Sequence, residues 1–499
     1  MSSRLRRNVL YTVAGQGLIL ALGIVAVRSI YGGIGGDALG VFFFATIIGN
    51  MASAALDLGI ATTVIRQVAS ASGPASRDVE DLLRTAALYF WALYGIVVGV
   101  LALSAGAIAE GWLSIDTITQ PDAVPSLTVL GCAALLTLPR SLYGSVFKGL
   151  QEMGVPNAID VAATVVQQTA ILLVVGAGGG LWAVSLAVAG SAILWTVSYV
   201  VAAARCLPAR ALVPGFHLSA FRTNRRYAFR MMGVSLLAMV HMQSDKVIAS
   251  RFLSLATFGM YSFAFGSINR AMLLTSAVSQ AALPSLTALV ARGERAAMLA
   301  QYHRLHQLLI VAMAIVFGAV PFALPPLFGW MFGVDEAMAM VLPGTLVALG
   351  FYMNSTLNMP YVLSLAMGKP EIALASNAWA LVGVLLVTAA LVWQWGAVGA
   401  GASWVLYNLF TIAVVIPRIS RECTQEPTSR WLGEIARLAS PALLIYGSTW
   451  AALDAIGRPA VVELTIGYLA STLAYLAIGW TMLSRDERQQ LLTLFRWTM

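Results

Sequence analysis

A run of about twenty apolar residues is the length at which a helix crosses the hydrocarbon core of a bilayer. This chain presents such a run fourteen times. The runs lie near 8–30, 38–62, 85–109, 125–147, 158–178, 181–204, 228–250, 256–283, 306–327, 339–365, 371–394, 397–417, 436–456 and 460–483. A spanning helix satisfies its own backbone hydrogen bonds, so the spacing predicts an all-α polytopic membrane protein with about fourteen transmembrane helices. Composition agrees, with 59% hydrophobic and only 10% charged residues, where soluble domains carry roughly a quarter charged. The first run follows "MSSRLRRN" but is too long for a signal peptide and lacks an A-x-A site, so it reads as a retained helix. Links such as "GAGGGL" at 176–181 and "QWGA" at 394–397 are short enough to force antiparallel neighbours.

Orientation follows from Lys and Arg in the links. With both termini cytoplasmic, the inside segments carry 24 basic residues, grouped around Arg4–Arg7, Arg66–Arg84, Lys148, Arg205–Arg230, Arg292–Arg304, Lys369, Arg418–Arg437 and Arg485–Arg496. The outside segments hold only Arg251 and Arg458, and the outer link near 110–122 carries Glu110, Asp116 and Asp122. The net charge of +8 therefore reflects topology beside an anionic inner leaflet. A nucleic-acid surface is not indicated. Cys132, Cys206 and Cys423 lie far apart without metal or redox spacing, and His241 has no partner at ligand spacing, so no metal site is expected.

The chain repeats itself. "ALGVFFFATIIGN" (38–50) and "TFGMYSFAFGSIN" (257–269) each place a glycine before aromatic residues and an asparagine ten positions later. "EMGVPN" (152–157) and "AMGKPE" (366–371) join spans at comparable offsets. Two six-helix halves, 1–204 and 228–417, are predicted as a parallel repeat about an axis along the membrane normal. A basic linker, 205–227, joins them, and 418–499 adds a cytoplasmic loop, two further helices and a basic tail.

"LGVFFFATIIGNMASAALDLGIATTVIRQVA", "VFKGLQEMGVPN" and "SDKVIASRFLSLATFGMYSFA" resemble the matching regions of bacterial polysaccharide flippases. These are the Wzx-type, oligosaccharidyl-lipid branch of the multidrug/oligosaccharidyl-lipid/polysaccharide exporter superfamily. The resemblance implies two lobes around a central cavity and alternating access. It also implies movement of an undecaprenyl-pyrophosphate-linked glycan to the outer leaflet of the bacterial cytoplasmic membrane. A polymerase and a chain-length regulator of the same pathway are the partners it suggests.

Such a task breaks no covalent bond, so no catalytic residue is assigned. It calls for cations that meet phosphate and for polar groups that meet sugar. Four basic residues lie inside spans: Arg28, Arg140, Lys246 and Arg270. Arg270 is the only charge between Phe252 and Ala291 and sits halfway along its run, where a charge costs about 2.5–3.5 kcal/mol on insertion scales. It shares a stripe with Gly259, Gly266, Ser267 and Ala277. Arg28 and Lys246 lie where snorkelling is an alternative, and each basic residue has a structural pair as its rival reading. The polar or coupling candidates are Asn50, Asp57, Asp245, Asn269, Asn354 and Asn358. Thr46, Asn50, Ser53, Ala54 and Asp57 form one stripe, with Asp57 more a capping than a cavity residue. Asp245 is expected to pair across spans, with Arg28 or Arg270, because adjacent helical residues do not face each other. Asn354 and Asn358 share a face suited to sugar hydroxyls or to helix–helix bonding. A coupling ion, H+ or Na+, is left open by the sequence.

Three alternatives stand beside the flippase. A lipid II flippase shares the fourteen spans and cationic cavity. A cation or drug antiporter of the superfamily favours twelve spans and acidic cavity residues. A membrane glycosyltransferase, polymerase or ligase calls for a large outer loop, whereas the longest outer link here is only about fifteen residues.

Overall fold

The computed structural model describes residues 3–57, 59–70, 76–113, 120–217, 243–369, 371–457 and 459–482. Most of the seventh run and the linker from 218 onward, with His241, Asp116, Arg458 and the basic tail, lie outside the described residues. The described chain is helical and divides into two compact units, Met1–Phe263 and Ala264–Met499.

Ten helices among the described residues are long and apolar enough to cross a membrane. The other four sequence runs are accounted for one by one. The first is α1 (Ser3–Gly33), which falls outside that count because only the shorter stretch Ile19–Gly33 is apolar and described in full. The seventh lies largely outside the described residues, leaving its end as α9 (residues 243–252). The eleventh and twelfth runs are continuous in α15 (Glu371–Ile419) across a kink. The thirteenth is α16 (Thr428–Ile456), whose first turns carry Arg430, Glu434 and Arg437.

In the first unit, α2 (Gly36–Leu56) stops short of the expected span end at 62. The "DLG" triplet breaks it: Gly59 takes φ +70°, which suits a residue without Cβ. Asp57 then accepts the Ala61 N–H at 3.3 Å and caps α3 (Ile60–Ser70). Asp57 thus leaves the predicted α2 stripe. α4 (Arg77–Gly111) follows, and the fourth run divides at Leu136 into α5 (Gln120–Leu135) and α6 (Thr137–Gly149), one turn before Arg140. α7 (Gly154–Gly176) and α8 (Leu181–Ala203) complete six spans. A buried cluster of Val64, Phe90, Tyr143, Val146 and Tyr199 joins α3, α4, α6 and α8.

This unit also takes in residues 255–263, the first turns of α10 (Leu255–Asn269). The reason is a close crossing of the two repeated glycines. A Cβ at Gly40 would lie 2.2 Å from the Leu255 carbonyl oxygen, and one at Gly259 would lie 3.0 Å from the Gly40 nitrogen. Small residues let membrane helices approach backbone to backbone in this way. Trp112 Nε1 donates to Ser250 Oγ at 3.0 Å and so ties the end of α4 to α9.

In the second unit, the eighth run is not one helix. α10 ends at Asn269 and α11 (Met272–Ala291) begins after a two-residue turn. α12 (Arg295–Gly318), α13 (Val320–Phe332) and α14 (Val334–Ala366) follow. Within α15 the "QWGA" link reverses the chain at Gly396, with φ 57° and ψ −132°. The return is so tight that a Cβ at Gly399 would fall 2.0 Å from the Leu391 carbonyl oxygen. Gly396→Ala is expected to destabilise the protein by about 1–3 kcal/mol, the cost of a side chain in such a backbone region. A thermal unfolding series in detergent should show the lowered midpoint. Phe265, Phe351 and Trp404 pack edge to face with centroids 5.0–5.7 Å apart and bind α10, α14 and α15. α16 and α17 (Val461–Met482) dock on α12 and α13 through Tyr446, Tyr468 and Tyr475. Tyr468 OH donates to the Ile315 carbonyl at 3.2 Å.

Candidate functional site

The four basic candidates fare differently. Lys246 is buried and its Nζ lies 3.2 Å from Asp245 Oδ1, while Tyr261 OH donates to Asp245 Oδ2 at 3.2 Å. The expected pairing of Asp245 across spans with Arg28 or Arg270 is therefore replaced by a bond to its sequence neighbour. The lysine stem is long enough to fold back along the helix, and burial of both groups favours mutual neutralisation. Arg140 donates to Thr137 Oγ1 at 2.9 Å and lies 3.7 Å over the Trp195 ring. Asp160 supplies an opposite charge nearby and accepts from Trp195 Nε1 at 3.1 Å and Tyr199 OH at 2.7 Å. Arg140 thus belongs to a stacked and charge-balanced cluster inside the first unit. Arg28 is exposed on α1 and has an interaction of its own.

Arg270 differs from all three. It occupies the turn between α10 and α11, is exposed, and makes no hydrogen bond or ion pair with any described residue. Around it the backbone tightens to i−3 bonds, Ala271 N–H to Ile268 and Leu273 N–H to the Arg270 carbonyl, both at 3.1 Å. Gly266, Ser267 and Asn269 precede the turn, and all three are weak helix formers. The predicted stripe does not survive the break, because Ala277 belongs to a new helix. Asn269, the last residue of α10, is half-buried beside it, and Asn50 is exposed on α2.

Asn354 and Asn358 are engaged between helices. Asn354 Nδ2 donates to Asn408 Oδ1 at 3.2 Å, buried Asn408 donates to the Trp404 carbonyl at 2.8 Å, and Ser279 Oγ donates to Asn358 Oδ1. Of the two roles weighed for these amides, the geometry shows the helix–helix one.

Two features of the second unit have no counterpart in the sequence reading. One is a cavity of about 400 Å³ between α12, α14 and α16, lined by Phe317, Leu349, Met353, Leu443, Tyr446 and Trp450. Thr345 Oγ1 and Tyr352 OH also line it, seven residues apart on α14, and neither atom has a hydrogen-bond partner among the described residues. The other is a group of imidazoles and carboxylates where α12 meets the start of α16. Its sequence trace was the 303–306 histidine spacing and Glu426 and Glu434 in the link before the thirteenth run. Among the described residues no group of three or more His, Cys, Asp or Glu is arranged to hold a metal ion.

The fold resembles solved membrane transporters. It is similar to lipid II flippase MurJ in an inward closed conformation, with 11% identity, TM-score 0.71, and coverage of 94% of this chain and 98% of that one. It is also similar to an inward-facing multidrug resistance MATE family transporter of the MOP superfamily, with 12% identity, TM-score 0.67, and coverage of 81% and 94%. A third likeness is to a MOP superfamily transporter from Pyrococcus furiosus, with 13% identity, TM-score 0.54, and coverage of 82% and 93%. No curated protein matches the sequence. The class is thus a multi-pass helical membrane protein with the MurJ/MATE fold. Residues 34–334 match the family described as polysaccharide biosynthesis protein, and the chain belongs to that family.

Proposed function

We propose that this transporter is a flippase for an undecaprenyl-pyrophosphate-linked oligosaccharide, moving the repeat unit to the outer leaflet of the bacterial cytoplasmic membrane by alternating access. The observation that carries the proposal is Arg270, an exposed guanidinium deep in a spanning run with no described carboxylate to neutralise it. A planar guanidinium pairs with phosphate oxygens through two parallel hydrogen bonds. An amine or cationic drug would be repelled there. The apolar cavity against α16 supports a passenger with a hydrocarbon tail, since its walls offer contact along a chain and only two unpartnered hydroxyls among the described residues. The work is transport, and no bond of the passenger is broken.

Lipid II is the second reading. The likeness to MurJ covers 94% of this chain, against 81% for the MATE transporter. The flippase-like arrangement thus accounts for more of the chain than the antiporter does. Membership of the polysaccharide family favours an export repeat unit over lipid II.

Purified protein in liposomes tests the proposal. A labelled pyrophosphate-linked oligosaccharide should cross between leaflets faster than in protein-free vesicles. Movement of cationic dyes with none of that lipid would overturn the reading, and movement of lipid II alone would favour the second.

A further inference from the structure

Three close nitrogen–oxygen approaches lie where α12 meets the segment leading into α16. His303 Nε2 is 2.8 Å from Glu426 Oε2, His303 Nδ1 is 2.7 Å from Glu434 Oε1, and His306 Nδ1 is 3.0 Å from Glu434 Oε2. The Nδ1 approach of His303 is a charge contact rather than a well-aligned hydrogen bond. Each approach needs a proton on the nitrogen, whether or not its N–H aligns with the oxygen, because a bare lone pair so close to a carboxylate oxygen is repelled. A neutral imidazole carries one N–H, so two neutral rings supply two hydrogens for three contacts. The third is an additional, exchangeable proton.

We propose that His303, clasped by Glu426 and Glu434, is a proton-binding site whose occupancy fastens the start of α16 to α12. Its surroundings are built for one state. His306 is fully buried, stacked between Tyr302 at 5.8 Å and Trp431 at 5.7 Å, and its Nε2 has no partner among the described residues. Its one hydrogen-bonded ring nitrogen is Nδ1, which faces Glu434. From the α16 side, Arg430 pairs with Glu426 at 2.5 Å. Protonated His303 and Arg430 together balance the two carboxylates. Loss of the proton leaves one buried negative charge uncompensated.

The remaining titratable neighbours are occupied or neutral. Burial, reinforced by nearby carboxylates, pushes the Tyr302 hydroxyl and the Cys423 thiol up and keeps them neutral, Arg295 donates to the Thr424 carbonyl at 2.5 Å, and Glu422 is held by Arg418 and Lys369. A cavity of about 10 Å³ touches His303, Glu426 and Trp431, room for roughly one water through which the proton can exchange.

His303 precedes the apolar run 306–327 and Glu434 precedes 436–456, so both titrate outside the spanning segments. Burial alone would lower the proton affinity of His303, but the hydrogen bonds and charges of Glu434 and Glu426 outweigh it and raise it. Burial likewise opposes the Glu434 charge, yet the two imidazoles hold its pKa down to about 2. The His303 contribution is complete below the ordinary histidine pKa of about 6.5 and disappears as pH rises through the raised folded value. The Glu434 contribution is complete above the ordinary glutamate pKa of about 4.3 and disappears only as pH falls through the depressed one. The clasp is therefore strongest between these two ordinary values and weakens on the alkaline side.

The test is ring nitrogen-15 NMR of histidine-labelled protein in nanodiscs between pH 6 and 9, with His303→Gln used to assign the signal. At pH 6.5, the ordinary histidine pKa, most His303 rings should resonate as imidazolium with both nitrogens protonated, and Glu434→Gln should lower the titration midpoint by about one unit or more. Hydrogen exchange in residues 420–434 should quicken above the wild-type midpoint. A His303 ring mostly carrying one bare nitrogen at pH 6.5 would overturn the proposal, as would a midpoint indifferent to Glu434→Gln or exchange that stays constant across the titration. The inference holds whichever lipid the protein carries.

Discussion

Replacing Arg270 by alanine should lower glycan export roughly ten- to hundredfold at unchanged protein level, since a charge-assisted hydrogen bond contributes about 1.5–3 kcal/mol and each 1.4 kcal/mol is a factor of ten. Arg270→Lys should fall between the two. It keeps the charge but loses the fork that grips two phosphate oxygens at once. The ordering matters more than the size. Lysine above alanine marks an electrostatic role, and alanine equal to wild type removes the phosphate assignment. A structural account predicts a different pattern, because the guanidinium has no described partner whose loss would unfold the protein. Export measured by surface glycan staining, with the membrane level of each variant checked by immunoblot, decides between them.

The second large effect is expected at Gly40. Its missing Cβ is what admits the Leu255 carbonyl, and the added atom would sit 2.2 Å from that oxygen and 2.8 Å from the Leu255 Cβ. Backbone cannot swing aside as a side-chain tip can. Gly40→Leu should therefore cost about 3 kcal/mol or more, the upper end of overpacking penalties, and leave little monodisperse protein after solubilisation. Gly40→Ala should lower the thermal midpoint without abolishing folding. Gly95→Ala is the control: a Cβ there meets nothing within 4 Å, and alanine is the better helix former by about 1 kcal/mol. Equal behaviour of Gly40→Ala and Gly95→Ala would show that the α2–α10 crossing is looser than the geometry states.

Most of the fold was legible because apolar run length and loop charge are properties of the chain itself. The repeated glycines were read as a pattern and proved to be a contact, Gly40 against Gly259. Breaks inside runs were legible only in part, as in the capping role read for Asp57. Hydropathy is blind to the turn at Arg270 or the "DLG" stop at Asp57, because a kinked helix buries the same residues as a straight one. Stripe arguments crossing those points failed for that reason.

Of the candidate site, charge depth singled out Arg270, but partners could not be assigned without helix rotations. Lys246 with Asp245, Arg140 with Trp195, and Asn354 with Asn408 each depend on which way a side chain leaves its helix. The His303–Glu434 contact joins residues more than a hundred positions apart and was invisible to spacing.

The most direct measurement is the water accessibility of position 270. In a variant with Cys132, Cys206 and Cys423 replaced, Arg270→Cys should react with a charged, membrane-impermeant thiosulfonate in native-like membranes. A prenyl pyrophosphate should slow that reaction, while the monophosphate-free alcohol of the same chain length should not. A thiol that stays unmodified, or one whose modification ignores the pyrophosphate, would contradict an anionic passenger meeting the protein at this residue.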